Sequence, residues 1–338
     1  MMFEDLFLAY AIGDAFGAGV EFQDRDWIRQ HVDFSRLVNA RASIRADVPD
    51  PEMFTRHYTP WEYSDDTEMT IGTARALLSG RPFTAELLIE YWSREYQSGV
   101  ATKGYGRNGH GSMRWVYSGA KSIEEVWRFQ ATREYPGNAA PMRAVPLGFA
   151  PSHLIDDYAL INADATHPHP KARAANILVA RACRYLLVEK QDPAKLIHNI
   201  LPFLQETDRE TADLLLQIDR LPPPHLLQPQ HYTLLCGPQP IREPRFPEGI
   251  HGLPSDAMLT AGAVAYMLKH FRNTFSGLQF AIRLGGDVDT VAGIVTGILA
   301  GRYGSSSLPG FMRRSVEGIP LLRELAKDFG RWVSDNQS

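Results

Sequence analysis

The sequence predicts an all-α protein, on three observations. Apolar residues recur at helical spacing through most of the 338 residues. Strand signals are sparse, and strands and helices do not alternate as a parallel sheet would require. No unit of 20 to 50 residues repeats as it does in solenoids. The helices are therefore expected to form one compact multi-helix domain over residues 1–338. A chain of this length is long enough to bury roughly three quarters of its unfolded surface.

The first helix is expected over 2–19, where Phe3, Leu6, Phe7 and Tyr10 share one face. Small residues follow: Ala11, Gly13, Ala15, Gly17, Ala18 and Gly19. A glycine costs an isolated helix about 1 kcal/mol, so this run expects another backbone close by. Helical spacing continues over 67–79, 84–97, 122–133, 171–190, 193–205, 208–219, 255–270, 275–283 and 289–302. Two stretches, 22–62 and 221–254, read as long irregular loops. The second holds nine prolines. Loops this long inside a compact domain are uncommon and often functional. A surface insertion is the favoured reading of the proline-rich one.

Composition narrows the class. The chain is 44% hydrophobic and 22% charged, ordinary for a globular protein. A net charge of −4 with scattered Lys and Arg argues against a nucleic-acid-binding face. Cys183 and Cys236 are too few for a disulfide framework and form no CxxC pair, which points to a reducing, cytoplasmic setting. Glu4 and Asp5 stand where a signal peptide would carry basic residues, and no apolar run nears the ~20 residues of a membrane span.

Two acidic clusters carry the chemistry. "YSDDTEMTIG" (63–72) and "LGGDVDTVAGI" (284–294) each place two carboxylates and a hydroxyl at the start of an expected helix. Either could be a helix cap: Asp65 with Glu68 fits an acid-led capping box, and Asp287 could cap a helix beginning near Thr290. A cap needs only one acceptor, however. Four carboxylates gathered in a helical core would repel and lose hydration, and a pair of divalent cations would relieve both. The donors are all oxygen, with neither Cys nor His, so the cations expected are Mg²⁺ or Mn²⁺. His167 and His169, two apart between prolines, suit an extended turn that points the rings apart. Tyr105 and Tyr135 are candidates to stack on a base, or to pack in the core. Arg107 and Arg143 are candidates to neutralise a diphosphate, and Arg143 equally to pair with a helix acid.

These motifs, with "AIGDAFGAGVEF" (11–22), "KGYG" (103–106), "GNAAPMRAVPLG" (137–148) and "ATHPHPKA" (165–172), resemble in order and spacing the ADP-ribosylglycohydrolase family. The resemblance runs nearly end to end. It implies an all-helical fold and a hydrolase that cleaves the bond between ADP-ribose and its acceptor with two Mg²⁺ or Mn²⁺ ions. It implies Ser64, Asp65, Asp66, Asp287, Asp289 and Thr290 as metal ligands, Ser64 standing where relatives carry Thr. It further implies Glu21 and Asp289 as catalytic residues, and Gly104, Tyr105, Gly106, Asn138 and His167 as substrate contacts. The expected partner is an ADP-ribosylated protein, arginine-linked by preference, with serine-linked or small-molecule conjugates and a non-catalytic ADP-ribose-binding module as alternatives. Neither nucleic acid nor membrane is expected.

Overall fold

The computed structural model describes residues 2–40, 61–103, 113, 116, 119–243 and 246–336. Its elements are helical throughout, apart from one short hairpin. In chain order the helices are α1 (Met2–Val20), α2 (Arg25–His31), α3 (Asp65–Leu78), α4 (Ala85–Lys103), α5 (Ile123–Ala131), α6 (Ala139–Met142), α7 (Ile155–Asp164) and α8 (Pro170–Cys183). They continue with α9 (Leu196–Gln205), α10 (Arg209–Asp219), α11 (Tyr232–Cys236), α12 (Ala257–His270), α13 (Thr274–Ile282), α14 (Val288–Tyr303), α15 (Gly310–Ser315) and α16 (Ile319–Asn336). The all-α expectation holds, and all ten helical stretches read from spacing are present with shifted ends.

Two helices form the axis. Every residue of α1 from Leu6 to Val20 is buried, and so is every residue of α14 from Val288 to Ala300. A helix apolar on all sides belongs inside other helices. These two pack on each other more extensively than any other pair. The small residues of α1 allow it. A Cβ on Gly13 would lie 2.3 Å from the Ala292 carbonyl oxygen, and one on Gly17 would lie 2.4 Å from the Cα of Asp289. Of the three α14 glycines at four-residue spacing, Gly293 and Gly297 face Tyr10 of α1, whereas Gly301 faces Leu187.

The expected loop 22–62 contains α2, and its residues 41–60 lie outside the described residues. The proline-rich stretch is more ordered than its composition suggests. It contains α11 and an antiparallel hairpin of β1 (Ile241–Glu243) and β2 (Phe246–Ile250). Four further helices lie outside the predicted stretches. α6 has only four residues. α7 and α15 are short, but α16 is long and amphipathic, burying Leu322, Leu325, Phe329 and Val333 on one face. Phe329 meets the rings of Phe3, Phe7 and Phe149 edge-on. Among the described residues, no helix is long and apolar enough to cross a membrane.

Candidate metal centre

The first acidic cluster sits on the first turn of α3. The helix begins two residues earlier than its spacing predicts, and its N-cap is Ser64 rather than Asp65. The Ser64 hydroxyl accepts from the Asp66 N–H at 3.3 Å. With the cap supplied by serine, both carboxylates of Asp65 and Asp66 are surplus to it. The turn is braced from α1 by Asp14, a fully buried carboxylate the sequence reading did not single out. Asp14 accepts from the Ser64 N–H at 3.0 Å, the Thr67 N–H at 2.9 Å and the Thr67 hydroxyl at 2.5 Å. Burial raises its pKa, and those hydrogen bonds oppose the rise. An acid in the middle of an all-apolar helix was the available signal.

The second cluster is built differently. Asp287 stands at the N-cap position of α14, yet its side chain makes no capping hydrogen bond, so the cap reading fails here. It follows Gly285 and Gly286, whose φ values of +72° and +76° suit glycine. This turn pairs with two other segments. The Phe22 N–H donates to the Gly286 carbonyl at 2.7 Å, and Gly286 donates back to Gln23 at 2.9 Å. On the other side the Leu253 N–H donates to Gly285, and the Asp287 N–H to Leu253, both at 2.7 Å. Glu21, at the end of α1, is thereby carried to α14. Ligand oxygens of Glu21, Asp287 and Asp289 lie within 4.8 Å of one another.

The two clusters meet. Asp66 is held well above the usual carboxylate range by burial first, then by Asp14 and Asp65, while the Thr290 hydroxyl of α14 hydrogen-bonds it and opposes the rise. Asp289 is raised by burial first, then by Glu21, Asp66 and Asp287. Asp287 is raised to about 6, by burial and then by Glu21. Every one of these shifts reports a cost of charging the site. A bound divalent cation removes that cost. The donor set fits one: Asp66 Oδ1 is buried with no hydrogen-bond partner, and the converging donors are carboxylates and hydroxyls, which suit a hard cation.

Asn138 is hydrogen-bonded to this centre, and His167 lies next to Gly137, the residue before Asn138. The Asn138 amide donates to Asp287 Oδ2 at 3.1 Å and to the Thr260 hydroxyl at 3.2 Å, and it accepts from the Ser255 hydroxyl at 3.0 Å. His167 is buried, and a Cβ on Gly137 would lie 3.6 Å from its Nε2. Burial and then Arg143 lower its pKa to about 3, so the ring is neutral. The Thr166 hydroxyl accepts from Arg143 at 2.6 Å and lies 2.8 Å from His167 Nδ1. The His167 Nε2 faces Gly137.

Other candidates land elsewhere. Arg143 is fully buried over the Trp92 ring, 3.7 Å from its centroid, and donates to Asn162 and Thr166. Burial lowers its pKa to about 9. It props the core behind His167, and the Asp65 carboxylate on the first turn of α3 favours its charged form. His169 caps α8 by accepting from the Lys171 N–H, so the two histidines do serve different neighbours. Tyr135 is exposed, with Lys171 over its ring, and does not pack in the core. Gly104, Tyr105, Gly106 and Arg107 lie outside the described residues.

An all-helical protein with an oxygen-lined acidic centre between two helix starts is the class this fold and site define. The chain belongs to the ADP-ribosylglycohydrolase family, whose model matches residues 3–337. It is 25% identical over 279 residues to the Xenopus tropicalis ADP-ribosylhydrolase ARH3, covering 76% of this chain and 77% of that one. It is 27% identical over 190 residues to the Rhodospirillum rubrum ADP-ribosyl-[dinitrogen reductase] glycohydrolase, covering 54% of this chain and 56% of that one. The fold is similar to a solved ADP-ribosylglycohydrolase-related protein complex, with a TM-score of 0.64, 20% identity and 98% of both chains covered. Family membership indicates an ADP-ribosyl glycohydrolase.

Proposed function

We propose that this chain removes ADP-ribose from a modified side chain, arginine by preference, using two Mg²⁺ or Mn²⁺ ions. The observation that carries the reading is the convergence of Glu21, Asp287 and Asp289 within 4.8 Å at a buried site. Ser64, Asp65, Asp66, Asp287, Asp289 and Thr290 would hold the cations. Bound there, such ions supply Lewis acidity toward ribose hydroxyls and lower the pKa of a water. Glu21 and Asp289 would take a proton from that water or orient the ribose while positive charge develops at the anomeric carbon. Asn138 keeps Asp287 turned inward, and the neutral His167 would hydrogen-bond the substrate. The backbone N–H groups of Gly104, Tyr105 and Gly106 would receive the diphosphate. The contiguous core from Leu6 to Val333 supports reading residues 1–338 as one domain.

The test is release of ADP-ribose from an arginine-ADP-ribosylated protein, with Mg²⁺ and with EDTA, beside a serine-linked substrate. Metal-dependent release from arginine is expected. Release from serine alone would keep the chemistry and move the acceptor. Tight ADP-ribose binding without release from either would make the chain a binding module or redirect the search to small-molecule conjugates.

A further inference from the structure

The proline-rich segment ends inside the site's scaffold. After β2 the chain returns through His251, Gly252 and Leu253, which touch both the segment after Glu21 and the Asp287 turn. The Arg25 N–H donates to His251 at 2.8 Å on one side, and Leu253 exchanges two hydrogen bonds with Gly285 and Asp287 on the other. Gly252 touches the turn backbone directly: a Cβ there would lie 2.3 Å from the Gly285 carbonyl carbon and from the Gly286 nitrogen. What holds Gly252 is one side chain. Gln239 accepts from the Gly252 N–H at 2.7 Å and donates to its carbonyl at 2.9 Å, with a further bond to the Cys236 carbonyl at 3.0 Å. This amide copies a strand's paired hydrogen bonds. The anchor behind it is buried: Arg25 lies over the Tyr232 ring and donates to Cys236 Sγ at 3.3 Å and to the Leu284 carbonyl at 2.9 Å.

We propose that Gln239 is a positioning residue for the cation site, clamping Gly252 so that the Gly285–Gly286 turn holds Asp287 in ligating register. The proposal rests on the cation reading above. It assigns the proline-rich segment a part in building the site, where its sequence favours a surface insertion.

The test is Mn²⁺ affinity, read from the signal of free Mn²⁺ by electron paramagnetic resonance, together with the melting temperature of the metal-free chain. Partners that orient a metal's ligands typically set affinity by 10- to 100-fold, so Gln239→Ala is expected to weaken Mn²⁺ binding by at least about tenfold. Gln239→Glu keeps the acceptor for Gly252 N–H, loses the donors, and is expected to fall between. Leu226→Ala, exposed in the same segment, should bind as the wild type does. A purely structural role would lower the melting temperature and leave affinity unchanged, and that result would overturn the proposal. Should Gln239→Ala fail to fold, wild-type affinity in Gln239→Glu would overturn it equally. A wild type that binds no Mn²⁺ would instead bring down the cation reading, and the clamp's role with it.

Discussion

At α3 the acidic turn is capped in the ordinary way, by the Ser64 hydroxyl, and its backbone N–H groups are gathered by Asp14 from α1. At α14 the acidic turn has no side-chain cap at all. Its order comes from two neighbouring segments that hydrogen-bond the Gly285–Gly286 turn, and from Asn138, which grips Asp287. The two motifs look alike in sequence, but one is a capped helix that carries surplus acids and the other is a three-strand splice that exists to present them. The difference locates where the site is robust. The α3 turn has its own side-chain cap and one brace, Asp14 of α1, whereas the α14 turn has no side-chain cap from Asp287 and depends on the 22–23 segment, Leu253 and Asn138 together.

The most severe way to break that arrangement is Asp289→Asn, at the point where Glu21, Asp66 and Asp287 all converge. Activity is expected to fall to background, beyond the roughly 10²- to 10⁴-fold that loss of a single acid–base group costs. An assay of ADP-ribose release checks it. Glu21→Gln comes next, with turnover expected to fall about 10²- to 10⁴-fold while Mn²⁺ still binds. Lost Mn²⁺ affinity would move Glu21 into the ligand set, where its distance from Asp287 and Asp289 already allows it. Asn138→Ala tests the splice itself. It should weaken Mn²⁺ binding by about 10- to 100-fold, measured by titration, with less effect on folding. The smallest effect belongs to the capped turn. Ser64→Ala should cost about 1 kcal/mol of stability in a denaturant melt and, since Ser64 is also a proposed ligand, weaken Mn²⁺ binding by less than Asn138→Ala does; Ser64→Thr should restore most of both. Equal losses of affinity at Asn138 and Ser64 in protein of unchanged stability would erase the distinction between the two turns.

What could be read in advance follows the same division. α1, α3 and α14 were legible because their apolar spacing and small residues are local, and the paired acids stood out because a cap needs only one acceptor. Asp14 went unassigned although an acid between Gly13 and Ala15 in an apolar helix invites a reason; the reason, a bond to residues 50 positions on, is tertiary. α16 is equally legible, since Leu322, Leu325, Phe329 and Val333 stand at helical spacing. The hairpin and the Gln239 clamp were not legible. Nine prolines argue locally against regular structure, and the partners that order the segment, Arg25 and Gly285, are supplied only by the fold. Arg143 is legible only in part for a related reason: the Trp92 ring and Asn162 that enclose it are brought to it by the fold.

In the proposed function two helix starts, one capped by a side chain and one not, make one cation-binding centre. Counting Mn²⁺ bound per chain by equilibrium dialysis, in the wild type and in Asp66→Asn, tests it most directly. Two ions per wild-type chain, with binding impaired when only the α3 side is altered, is the expected result. No bound Mn²⁺ at millimolar concentration, or an Asp66→Asn chain that binds as the wild type does, would contradict it.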